Sequence, residues 1–134
     1  MPTKTYKLGS LCQDSETGIK ALYAGNTAGA KYSTLGTGAG GSYQVPVGKK
    51  LYLSLAGFFC AAANGTVIFG YGDTVVADSV VAPVNAVEVS NRLSSPTAFI
   101  WNELNVFLEI PAGKYPYFFS DSGGSSSMVY GLEV

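Results

Sequence analysis

Two carboxylates suffice for glycoside hydrolysis, one as proton donor and one as base or nucleophile. The chain offers nine: Asp14, Glu16, Asp73, Asp78, Glu88, Glu103, Glu109, Asp121 and Glu133. None stands in a distinctive motif. Asp73, which follows GYG, and Asp121, within FSDSGG, read as turn residues whose short side chains bond the nearby backbone. Histidine is absent from the sequence, which removes the Ser-His-Asp and Cys-His arrangements, the usual zinc sets and the commonest general base near neutral pH. Backbone carbonyls with Asp73, Asp78 or Asp121 could coordinate calcium, but the sequence shows no ordered ligand series for it. The glycine-rich GTGAGGS lacks the lysine and the strand-to-helix context of a phosphate-binding loop. The expectation is therefore a chain that is not an enzyme, with no cofactor and no metal.

Binding chemistry is a better match. Lys49 and Lys114 each follow a Pro-x-Gly turn, as rim charges that discourage edge pairing or as contacts to an anion or partner. Tyr115 and Tyr117 share one face of a short strand, with Phe118 on the other, and exposed tyrosine rings suit sugar faces. These four residues are the candidate partner or glycan contacts. Buried bulk is the competing role for the aromatic residues, which comprise nine Tyr, seven Phe and one Trp. Net charge is −1 with eight Lys plus Arg, too little positive charge to neutralise a phosphate backbone, so nucleic acid is not an expected partner. Cys60 lies in the apolar run GFFCAAA and reads as a small core residue; its pairing with Cys12 is left open by the spacing.

The 134 residues make one domain. No stretch reaches the roughly 18–20 apolar residues of a membrane span, and the opening MPTKTYKLGSLCQDSE has no apolar signal-peptide core; a soluble chain without export signal is expected. Charged residues make up only 13%, against about 25% in typical soluble domains. In a small domain that deficit implies surface lying against other subunits or a larger assembly, or else the Ser, Thr, Asn and Gly surface of a secreted β protein.

Period-two alternation places these residues on strands. Leu51, Leu53 and Leu55 share one face of LYLSLAG, and Val67, Phe69 and Tyr71 share one of TVIFGYG. Asn64-Gly65 between them predicts a type I′ hairpin over residues 51–72. Further strands are expected in DTVVADSVV, NAVEVS, TAFIW, NVFLEI, YPYFF and MVYGLEV, and no window sustains a capped helical period. Residues 1–42 read as an N-terminal arm or edge hairpin, since IKALYAG and AKYSTLG flank the turn-prone GNTAG, joined by a Gly-rich link to a sandwich over residues 43–134.

One phrase is written twice: VPVGKKLYL at 45–53 and IPAGKYPYF at 110–118. Pro46 and Pro111 suit the first central position of a type I turn, and Gly48 and Gly113 suit a left-handed bulge after it. VIFGY and MVYGL extend the repeat, matching Gly70 with Gly131. Each half reads as strand, turn, strand, loop, strand, and two such units facing across a core make an antiparallel, all-β sandwich of jelly-roll type.

The phrases YQVPVGKKLYLSLAG and LEIPAGKYPYFFS, with the Gly, Ala, Ser and Thr-rich AGNTAGAKYSTLGTGAGG, resemble the strand and turn phrases of jelly-roll domains in bacteriophage virion proteins, among them capsid decoration proteins and fibre or baseplate modules. The resemblance spans roughly residues 19–132. It implies a non-enzymatic virion protein, assembled in the host cytoplasm as a homotrimer and bound to the major capsid or another virion protein. It carries over no binding residue. A carbohydrate-binding or receptor-binding module, with a glycan as partner, is the alternative, followed by a trimeric tumour-necrosis-factor-like ligand.

Overall fold

Alternating apolar and polar side chains build nine strands among the described residues: β1 (Ile19–Asn26), β2 (Lys31–Thr34), β3 (Leu51–Phe59), β4 (Gly65–Gly72), β5 (Val87–Glu88), β6 (Leu93–Ser95), β7 (Asn102–Ile110), β8 (Tyr115–Ser120) and β9 (Ser125–Glu133). The structure, a computed structural model, describes residues 18–27, 29–37, 41–122 and 124–134. Among them there is no helix. Cys12, Asp14, Glu16, residues 1–17 of the arm expected over 1–42, and the middle of the expected Gly-rich link lie outside the described residues.

One sheet runs β1-β9-β3-β7 and the other β2-β8-β4-β5, with β6 also on β4. Every pairing is antiparallel and the pairs nest: β1 with β9, β2 with β8, β3 with β7, and β4 with β5 and β6. Rolling such nested pairs into two facing sheets gives the jelly-roll sandwich the sequence predicts. Between the sheets lie Leu22, Leu51, Leu53, Ala56, Phe58, Leu108, Ile110 and Val129 from one, and Val67, Phe69 and Phe118 from the other. Leu35, Tyr43, Val45 and Cys60 close the core from the connections. Each large apolar side chain removed from water contributes about 1.5–3 kcal/mol, which is how a short chain with few ion pairs offsets its ordering entropy.

Several local expectations change once the sheets form. Asn64 does take a positive φ of 60°, but β3 and β4 lie in different sheets, so Asn64-Gly65 closes an arch across the core and not a hairpin. Phe58 and Val67 need opposite sides of one core, and that demand overrides the turn's local preference. β1 and β2 likewise do not pair as an edge hairpin; they go to different sheets and carry Leu22 toward the core, with Leu35 just after. A bulge shifts the register between Leu53 and Leu55, so Ala56 takes the core place expected for Leu55. DTVVADSVV is a connection, not a strand. It reaches the free edge of β2, where the Thr34 N–H donates to Val76 O (2.8 Å) and the Tyr32 N–H to Ser79 O (2.7 Å).

The repeated phrases form two corners side by side. The Lys49 N–H donates to Pro46 O (3.1 Å) and the Lys114 N–H to Pro111 O (3.4 Å), with Gly48 and Gly113 both at φ 78°. Proline is thus the first residue of a type II turn, and not the second of a type I turn, because the glycine holds the one central position that requires positive φ. The corners bond to each other: the Val45 N–H donates to Lys114 O (3.0 Å) and the Gly113 N–H to Val45 O (2.7 Å).

Candidate interaction surface

The four residues singled out from the sequence do not form one site. Lys49 is exposed at its corner. Lys114 ion-pairs with Asp73, each about one-third exposed, and so ties the 73–86 connection to the second corner. Tyr115 is half-buried. Tyr117 offers no ring to a glycan: it is 2% exposed, packed edge-on against Tyr32 at 5.6 Å, with its hydroxyl over Gly70. Burial first, then Glu88 and Tyr32, pushes its phenol up to about 12. The alternation places Tyr117 opposite Phe118 correctly, but sheet faces alone do not reveal that the outer one is also covered.

The carboxylates act as cross-links. Asp121 accepts the Thr66 N–H (2.7 Å) and Oγ1–H (2.6 Å). Asp78 accepts the same two groups of Thr27, and those bonds hold its carboxyl below the usual range. Asn85 and Lys114 do the same for Asp73. Glu109 pairs with Lys50 at 2.9 Å, and Glu133 accepts the Tyr43 hydroxyl. Burial, and then Glu133, drive the Tyr43 phenol well above its ordinary value. No group of three or more His, Cys, Asp or Glu side chains comes together as a metal site among the described residues. A cleft of about 440 Å³ between β1 and β2 is lined by Tyr23, Ser33, Thr34 and Asp78, but Asp78 is already bonded to Thr27 there.

What the structure does assemble is an apolar strip that the sequence reading did not single out. Phe107 is 80% exposed, Phe99 70%, Ile100 55%, Trp101 40% and Leu104 39%. Phe107 points from the outer face of β7 and stacks on Tyr52 at 5.7 Å. Trp101 lies over Gly57, beside Phe59 at 6.2 Å, and its indole N–H donates to Glu103 Oε1 at 3.0 Å. Asn102 fixes the entry to β7 by donating to Ser95 Oγ (2.9 Å) and Ile100 O (3.0 Å). Next to it, a cleft of about 320 Å³ opens between the sheets, walled by Val89, Leu93, Leu104, Val106 and Leu108.

Phe99 has a φ of 59°, a left-handed backbone that a bulky side chain adopts only at a cost of about 1–3 kcal/mol. Its N–H is bonded to Cys60 O at 2.8 Å, which pins the strained turn while the ring stays in water. Five large apolar side chains are thus left in water at and just before β7, one of them on a strained backbone. One signal for it was in the sequence. In NELNVFLEI, Leu104, Val106, Leu108 and Ile110 hold one face, while Phe107 stands alone among Glu103, Asn105 and Glu109 on the polar one.

No protein-family model matches the chain, and no curated protein matches it. Among solved structures, the nucleoplasmin-like N-terminal domain of Drosophila FKBP39 is similar at 10% identity, over 90% of this chain and 92% of that one, with a TM-score of 0.42. That likeness is too loose to bear on function or assembly.

Proposed function

We propose that this chain is a non-enzymatic virion structural protein, most simply a phage capsid decoration or cement protein that binds the shell as an oligomer. One observation carries the reading: a rigid jelly roll with little charge exposes a strip of large apolar side chains and spends backbone strain to keep Phe99 in it. Four of the carboxylates, Asp73, Asp78, Glu109 and Asp121, are engaged in cross-links, which supports a structural role for them. Residues 18–42 supply β1, β2 and two core leucines, so the segment assigned to anchor the chain to the shell is residues 1–17.

The test is binding to assembled shells. Particles of the virus whose genome encodes the chain, stripped of surface proteins, are mixed with the full chain and with a version lacking residues 1–17, and bound copies are counted after gradient separation. Saturable binding in fixed ratio to the capsid lattice is expected, and weaker binding of the truncated form. Absence of binding by the full chain overturns the reading.

Trp101 favours a second reading. An indole 40% exposed, with Glu103 beside it, is the pairing of ring face and hydrogen-bonding carboxylate that sugar recognition uses. A glycan array separates the two: retention that is lost in Trp101→Ala and kept in Tyr115→Ala would support a glycan module, and an empty array would count against it.

A further inference from the structure

Sheet edges are unpaired rows of N–H and C=O groups, and proteins blunt them with covers, prolines, lysines or short strands. Three of the four edges here are managed. The β2 edge is bonded by Val76 and Ser79, the β1 edge is met at Tyr23 by Gly36 (2.8 and 2.9 Å), and β5 and β6 are two and three residues long. The fourth is β7, a nine-residue strand with β3 on one side and no described strand on the other. Its sequence, NELNVFLEI, contains neither lysine nor proline. Leu104 and Phe107 lie on this strand, on its inner and outer faces, and Phe99, Ile100 and Trp101 lie in the connection that enters it.

We infer that β7 pairs with β7 of a second copy, antiparallel about a two-fold axis at Leu104, joining the two four-stranded sheets into one of eight strands. The inference rests on the assembly reading above and names its interface. The register follows from the side chains. With the axis at Leu104, Trp101 stands opposite Phe107 of the second copy and Glu103 opposite Asn105, while Leu104 faces itself. These are an aromatic pair, a hydrogen-bonding pair and an aliphatic pair, all favourable across strands. An axis at Glu103 sets that carboxylate against itself, one at Val106 sets Glu103 against Glu109, and one at Asn105 sets Glu103 against Phe107.

The area is also of the right order. The strip presents roughly 500 Å² of apolar side chain per copy, taking 150–250 Å² for a whole aromatic residue. With the strand edge added it approaches the ~800 Å² each partner gives to a standard interface. A surface that pairs with itself also accounts for the scarcity of charge there: Glu109 is neutralised by Lys50 and Glu103 is capped by the Trp101 indole.

The experiment is native mass by sedimentation equilibrium on the full chain, alongside Leu104→Arg and Leu104→Cys, the latter in a Cys12→Ser background. Twice the chain mass is expected for the parent chain, and the chain mass for Leu104→Arg, with the circular dichroism of both alike. Paired residues that face each other across strands stand about 4.5–5.5 Å apart at Cα, within disulfide reach, so mild oxidation should convert most of L104C to a covalent dimer. A parent chain that is monomeric at high concentration, or L104C that fails to cross-link, overturns the interface. A trimer, the state implied by the virion resemblance, overturns it too, because three copies cannot close through one two-fold contact, yet leaves assembly intact. Conversely, a confirmed dimer that binds no particle sinks the decoration role and leaves the interface standing.

Discussion

Trp101 lies across the backbone of Gly57, and a β-carbon on Gly57 would overlap its six-membered ring at Cζ2 and Cε2. The contact joins a residue of the 96–101 connection to the middle of β3, the strand next to the edge strand β7. It therefore decides whether the aromatic strip is a fixed surface or a loose loop. Gly57→Ala should push the indole off the sheet. The expected cost is about 1–3 kcal/mol, the range for overpacking a close contact. The chain has a single tryptophan, so its emission should move to the red in the folded variant, and an unchanged spectrum would show that Trp101 does not rest there.

The four glycines of the duplicated phrase should separate into two classes when changed to alanine. Gly48 and Gly113 have open space around the missing β-carbon, and only their φ of 78° resists substitution, so each should lose about 1–2 kcal/mol. Gly70 and Gly131 are held against backbone carbonyls, of Val87 and Tyr52 respectively, which cannot move without breaking a sheet. Their variants should lose more than the turn variants, and chemical denaturation of the four reads the order directly. Equal losses would mean that the strands are not this tightly apposed.

That division shows where the sequence was legible. Period-two alternation identified the strands that matter, because a face that must be apolar leaves a mark at every second residue, and the duplicated Pro-x-Gly phrase marked two true corners. Partner choice left no such mark. Asn64-Gly65 has the residues of a hairpin turn and its Asn64 takes the expected positive φ, but which sheet each flanking strand joins is set by nested pairings between residues as far apart as Ile19 and Leu132. The site was less legible than the fold for a related reason. Tyr115 and Tyr117 alternate as a solvent-facing pair would, and it is β2 beside β8, which sets Tyr32 against the ring, that takes Tyr117 out of reach. Phe99 looked like part of a strand because its strained φ has no sequence signature.

Acid should weaken the links between the 73–86 connection and the rest of the fold. Hydrogen bonds from Thr27 lower the carboxyl of Asp78, and Asn85, followed by Lys114, lowers that of Asp73. A carboxyl depressed in the folded state contributes stability that is complete above its unfolded value, about 3.9, and is lost as pH falls through the folded one. Thermal midpoints should accordingly be level from pH 7 to 5 and drop below pH 4. Asp78→Asn should melt lower than the parent at pH 7 and show a shallower acid slope. Parallel slopes for the two proteins would remove Asp78 from the account.

Alkali should act on the opposite side of neutrality, through tyrosines that are buried uncharged. Burial, with Glu88 and Tyr32 adding to it, raises Tyr117 to about 12, and burial with Glu133 raises Tyr43 further. Because the unfolded phenol ionises near 10, the stabilisation is whole below pH 10 and disappears as pH climbs through the folded value. Absorbance at the phenolate band should show a second stage above pH 10, in which Tyr117 and Tyr43 ionise only as the sandwich opens. Tyr117→Phe should shrink the second stage by one residue and shift the alkaline unfolding midpoint upward. A single smooth titration of all nine tyrosines with the fold intact would place Tyr117 at the surface, where it would again be open to a glycan.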